Sequence, residues 1–254
     1  MQGLSFREFL QFYKGIDLPV CTFDDIINHP DEICKTVTKE CHLVPFFHEY
    51  LQVGYFPFYL EGAGRYYERI ENVVNYVINS ELPMVCKVET VNVRKLQVLL
   101  NVVAGNVPYE LDISKLALLL QSSRNTVLTY LKYLAMSKTI TLLYSDIHSL
   151  KKVQKPDKMY LENPNLLHVL SLNNVNIGTA RETFAVNQLG YQHRIEYGKK
   201  NGDFLIDGKY LFEIGGHNKT FDQIADIPNS YILADDTEWP AGNKLPLWMI
   251  GLLY

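Results

Sequence analysis

The stretch GDFLIDGKYLFEIGG, from Gly202 to Gly216, decides how the last third of the chain is read. GDFLI and KYLFEIG are apolar runs of strand length on either side of a short turn, so the spacing predicts a hairpin. Asp203 opens the first strand and Glu213 lies in the second, and closing the hairpin brings the two carboxylates together. Metal-dependent nucleases use such a pair to converge on a divalent ion, with a lysine to orient water or steady the phosphoryl group in flight. That lysine is expected two residues after the glutamate, where this chain has Gly215. Lys219 lies a few residues further on and is the candidate replacement, while Glu182 on the preceding helix offers a third oxygen ligand. The expected catalytic set is therefore Glu182, Asp203, Glu213 and Lys219, with Asp203 and Glu213 holding Mg²⁺. The competing reading is an ordinary hairpin whose acids merely end strands.

Outward from the hairpin, residues 153–254 read as an α/β layer unit in the order α-β-β-β-α-β, which favours a nuclease-like fold. The helix is IGTARETFAVNQLG. YQHRIEY, GDFLI and KYLFEIG are the three strands, TFDQIAD the second helix and SYILADD the strand after it, with LPLWMIGLLY read as a further strand beyond that order. KMYLEN is read as a strand at the start of this unit.

Residues 90–152 give helix, helix, tight turn, helix and then the alternating strand TITLLYS, the order of a winged helix. In that arrangement the start of RNTVLTYLKYLAMSK enters a major groove. Ser123, Arg124, Asn125 and Thr129 are the candidate contacts to phosphates or base edges of double-stranded DNA, with Lys132 on the backbone side. Charge agrees, since this unit holds 8 basic and 3 acidic residues in a chain of net charge −4. A basic island in an acidic protein suits a polyanion. A solvated charged face is the plain alternative.

Residues 1–89 read as helices. SFREFLQFYKG places Phe6, Phe9, Leu10 and Tyr13 at helical spacing, with Ser5 as cap, Glu8 at the capping-box position and Gly15 as stop. The segment is rich in aromatics and has no evident core of its own, which predicts packing against something else.

Other chemistries find no support in the sequence. It contains no GxxxxGK[ST] phosphate loop, hence no ATP site of that kind, and no HExxH or GxSxG motif. Cys34, Cys41, His42 and His48 have a spacing that matches no common zinc site, so the four cysteines read as ordinary buried thiols. No apolar run is long enough for a membrane span, and MQGLSFREFL is charged where a signal peptide would be apolar. A cytoplasmic protein is expected.

Six ordered stretches carry a wider resemblance: GLSFREFL, YLQVGYFPFYL, KLALLLQSSRNTVLTYLKYL, KPDKMYLENPNLL, GTARETF and GDFLIDGKYLFEIGGHNKT. Together the chain resembles the C-terminal region of archaeal- and Bacteroides-type AAA family ATPases, over essentially its whole length. The resemblance implies a helical lid (1–89), a winged helix (90–152) and a PD-(D/E)XK nuclease-like domain (153–254), an α+β multidomain fold. It also implies an AAA ATPase core that would precede GLSFREFL and act as partner to the lid. Glu182, Asp203 and Glu213 match that domain's acids, and Gly215 departs from its lysine. The leading expectation is a DNA- or partner-binding module with a degenerate nuclease-like domain. An active Mg²⁺-dependent nuclease and a protein-docking or oligomerisation module are the alternatives.

Overall fold

The computed structural model describes residues 3–37, 41–110, 112–145, 155–171, 175–199 and 201–254. Lys151 and Lys152 of the basic island, and the end of the DEICKTVTKEC helix, lie outside the described residues. The fold is mixed α+β, with many helices around two small sheets.

The first helix, α1 (Phe6–Phe9), starts at Ser5 through a reciprocal capping box with Glu8, and its continuation stops at Gly15 in the left-handed conformation. Helices α2 (Phe23–Asn28), α3 (Pro30–Val37) and α4 (Leu43–Glu49) follow, then α5 (Tyr66–Tyr76) and α6 (Leu82–Cys86). The aromatics of this segment are not left uncovered. Phe6, Phe9, Phe47 and Tyr50 are fully buried in one core with Phe184 and Trp248, and Phe47 and Tyr50 pack edge-on against Phe184. Tyr66, Ile70 and Val74 of α5 enter a second core instead. The segment 1–89, expected to pack against something else, is divided between two cores of its own chain. Its partner surface lies too far along the sequence for local pattern to show it.

Asn165 ties the pieces together. Its amide donates to the carbonyls of Tyr50 and Leu51, each at 3.0 Å, and its oxygen accepts from the N–H of Tyr55 and the hydroxyl of Tyr66. A buried amide with every partner supplied fixes one packing arrangement.

The second core is built by α7 (Thr90–Ala104), α8 (Ile113–Leu119), α9 (Arg124–Met136), β2 (Ile140–Leu143) and β3 (Lys158–Leu161), with the short strand β1 (Tyr109–Glu110) between α7 and α8. Leu96, Leu99, Leu116, Val127, Leu131 and Leu134 fill it. The three strands form an antiparallel sheet in the order β1-β3-β2. The KMYLEN strand, expected to open the last unit, is therefore the middle strand of the first sheet. A short strand carries no local mark of its partner.

Helix α10 (Pro164–Leu170) leads to α11 (Ile177–Leu189) and a five-stranded sheet of order β4-β5-β6-β7-β8. Strands β4 (Ile195–Tyr197), β5 (Phe204–Ile206) and β6 (Tyr210–Gly215) are antiparallel, while β7 (Ser230–Ala234) and β8 (Lys244–Pro246) run parallel to β6. Two sequence expectations are corrected here. TFDQIAD forms consecutive turns rather than a helix, being too short to sustain one without strong tertiary support. LPLWMIGLLY is strand only at its start and coils as a 3₁₀ helix over Leu247–Leu252, because an apolar run buried on all sides carries no period to separate the two. The two sheets touch where Tyr197 donates its N–H to the carbonyl of Tyr144, at 2.9 Å.

Candidate functional site: a carboxylate cluster with two lysines

Asp203 lies close enough to Glu182 and Glu213 to feel both charges, and Lys219 pairs with Glu213 on β6, the central strand of the five-stranded sheet. Asp203 precedes β5, where Gly202 takes φ +112°, a conformation open to glycine, and aligns its backbone with β6. Its N–H donates to the carbonyl of Phe212, and its carboxylate accepts from the N–H of Ile214 at 2.8 Å. Glu213 sits between β5 and β7 at 3% exposure. One of its oxygens pairs with Lys219, and the other, Oε2, is buried with no hydrogen-bond partner among the described residues.

Lys219 reaches Glu213 because residue 215 is glycine. An ideal Cβ on Gly215 would lie 2.7 Å from Lys219 Cβ and 2.8 Å from its Cγ. The lysine stem runs through the volume that a side chain at 215 would fill.

Glu182, on α11, is held by residues that the sequence reading did not single out. Its Oε2 lies 3.1 Å from Lys158 Nζ and accepts the hydroxyl hydrogen of Tyr160, both from β3. The signal was a lysine and a tyrosine spaced two apart in a four-residue strand that is buried throughout. Burial pushes Asp203 up to about 6, and the charges of Glu182 and Glu213 push the same way against the Ile214 N–H and Lys158. Burial and the adjacent Glu182 raise the Tyr160 hydroxyl well above the usual phenol range.

A second constellation follows β7. His48 Nε2, from α4, lies 2.9 Å from Asp235 and 3.3 Å from Asp236. These ligand atoms all fall within 4.8 Å of one another, so a His/Asp/Asp cluster capable of coordinating a divalent metal such as Mg²⁺ is present. Arg181 occupies the other side of both aspartates, at 2.7 and 3.1 Å. The hydrogen bond to Asp235 raises the His48 pKa. Asp235 titrates low although burial pushes it up, because His48 and Arg181 both donate to it. Sequence offered no signal joining His48 to acids so distant in the chain.

The expected nucleic-acid residues lie at the start and along one face of α9. Ser123 is its N-cap, accepting from the Thr126 N–H at 3.1 Å, and Arg124, Asn125, Thr129 and Lys132 are all exposed. The Thr129 hydroxyl donates back to the carbonyl of Asn125 at 3.0 Å. Arg124 and Lys132 make no ion pair among the described residues.

The fold and site together define a mixed α+β protein carrying a buried carboxylate–lysine cluster. A family model described as a domain of unknown function, DUF8612, matches residues 45–176, and the chain belongs to that family. The matched span holds His48, α9 and Lys158 and ends before Glu182, Asp203 and Glu213. No curated protein and no solved structure matches the chain. No helix among the described residues is long and apolar enough to cross a membrane.

Proposed function

We propose that the chain is a divalent-metal-dependent nuclease whose lysine has moved from position 215 to 219. The carrying observation is the Lys219 stem lying in the space vacated at Gly215 with its ammonium on Glu213. A degenerate site has no reason to keep a glycine and a lysine so matched.

The donor set fits a hard cation. Among the described residues, Glu213 Oε2 is buried and unpartnered, and the Asp203 carboxylate accepts a single backbone N–H. A buried carboxylate oxygen without a partner is costly unless a ligand completes it. A divalent ion held by Asp203 and Glu213 would supply Lewis acidity at a phosphate and a water of lowered pKa. Lys219 neutralises Glu213, and its ammonium would stabilise charge that develops on a phosphoryl group.

The unit from α7 to β3 would seat the substrate. The order α7-β1-α8-α9-β2-β3 supports reading residues 90–161 as a winged helix, with the exposed face of α9 on duplex DNA. The five-stranded sheet with α11 supports the PD-(D/E)XK reading, and the AAA-type C-terminal region remains our proposal for the wider context. A DNA-holding role without cleavage is the second reading, favoured by that same α9 face.

Calorimetric titration of Mn²⁺ tests the metal site. Binding in the wild type that is lost in both Asp203→Asn and Glu213→Gln supports the nuclease. Binding that persists in those variants and vanishes in Asp235→Asn moves the metal to the His48 cluster and refutes it.

A further inference from the structure

Three carboxylates face the site, and they are not equivalent. Among the described residues, Asp203 takes one backbone N–H and Glu213 Oε2 has no partner. Glu182 is already engaged, since Lys158 and Tyr160 both bind its Oε2. Lys158 is 8% exposed, and its ammonium also stands 5.3 Å from the ring centres of Tyr160 and Tyr197. An ammonium so deeply buried requires an anion beside it, and Glu182 is that anion.

The partners of Glu182 come from the other sheet. Lys158 and Tyr160 lie two apart on β3 and so leave the same face of the strand. That strand pairs along its length with β2, which follows α9 directly. The Tyr197–Tyr144 hydrogen bond closes the same seam one strand further on.

Resting on the nuclease reading, we propose that Glu182 is a positioning residue rather than a third metal ligand. It clasps Lys158 and Tyr160 and thereby fixes the duplex-binding unit against the Asp203–Glu213 metal site. A duplex seated on α9 is then held in one register relative to the catalytic carboxylates, through β2 and β3. The effect of losing the clasp falls on turnover of bound substrate, not on capture of metal or duplex.

The test uses the full chain and the variants Glu182→Gln, Lys158→Met, Tyr160→Phe and Lys158→Arg, each checked for folding by its urea midpoint. Mn²⁺ affinity is measured by calorimetry, and kcat and KM on a duplex by gel assay. The clasp predicts Mn²⁺ binding no weaker than about threefold below wild type, with kcat lowered about 10–100-fold and KM unchanged. Lys158→Arg should restore most of the turnover lost in Lys158→Met. Mn²⁺ binding abolished by Glu182→Gln to the extent seen with Asp203→Asn would make Glu182 a ligand and overturn the proposal. Unchanged turnover in Glu182→Gln would also overturn it. The metal measurement decides between ligand and clasp even without cleavage. If Asp203→Asn and Glu213→Gln leave Mn²⁺ affinity untouched as well, the metal site itself falls, a result distinct from either.

Discussion

Lys219 and Gly215 share one volume: a Cβ on the glycine would lie 2.7, 2.8 and 2.9 Å from Lys219 Cβ, Cγ and Cδ. Carbon atoms do not approach so closely, so the lysine path exists only while residue 215 lacks a side chain. The two positions act as one functional unit, with the charge supplied from 219 and the room from 215.

Gly215→Ala is therefore expected to expel the Lys219 stem from its path. Overpacking of this kind costs about 1–3 kcal/mol. A urea denaturation series should show that loss, and metal-dependent cleavage should fall with it. Gly64→Ala is the control, since nothing lies within 4 Å of a Cβ placed there.

Asp203 sets a pH dependence of opposite sign for stability and for metal binding. Its folded-state pKa, about 6, lies above the unfolded value near 4, so burial disfavours the ionised form. Its contribution is neutral below the unfolded value and becomes destabilising as pH rises towards 6 and beyond. Asp203→Asn should thus stabilise the metal-free protein at pH 8 by about 1–3 kcal/mol and give no gain at pH 4. Metal affinity of the wild type should climb as pH rises to about 6 and level off above it. Urea midpoints and Mn²⁺ titrations across pH 4–8 read both (roughly one point per half unit suffices).

The His48 network also loses stability as pH rises, here because a favourable charge is lost rather than an unfavourable one gained. The His48 pKa is raised by Asp235, so its stabilisation is complete below the unfolded value and is lost as pH climbs through the folded one. With the imidazole 37% exposed, the effect should stay under about 1 kcal/mol. His48→Gln should flatten the stability profile just above the usual histidine range, as read by thermal unfolding across neutral pH.

On the face of α9, Arg124→Ala combined with Lys132→Ala should weaken duplex binding uniformly across sequences. The slope of log affinity against log salt should become shallower by about 2. Fluorescence anisotropy of a labelled duplex at several salt concentrations measures it.

What the sequence made legible is local chemistry. Ser5 with Glu8, and Ser123 at the head of α9, announce helix starts because the cap and its partner lie within one turn. The convergence of Asp203 and Glu213 was readable because a hairpin joins them. Lys158 and Glu182 come from different sheets, and nothing in either neighbourhood names the other. Phe6 and Phe47 looked uncovered because Phe184 and Trp248, which cover them, lie far along the chain. The tail from Leu247 misled for a third reason, since complete burial erases periodicity.

The most direct measurement is cleavage of an end-labelled duplex in Mg²⁺ or EDTA by wild type, Lys219→Ala, and Gly215→Lys combined with Lys219→Gly, which removes the Cβ that would lie 2.7 Å from one at 215. Shortened products only with Mg²⁺, a loss of at least about 100-fold in Lys219→Ala, and recovery when the lysine is returned to 215 are expected. A duplex that binds the wild type yet stays intact in both Mg²⁺ and Mn²⁺ would contradict the nuclease and leave a DNA-holding module.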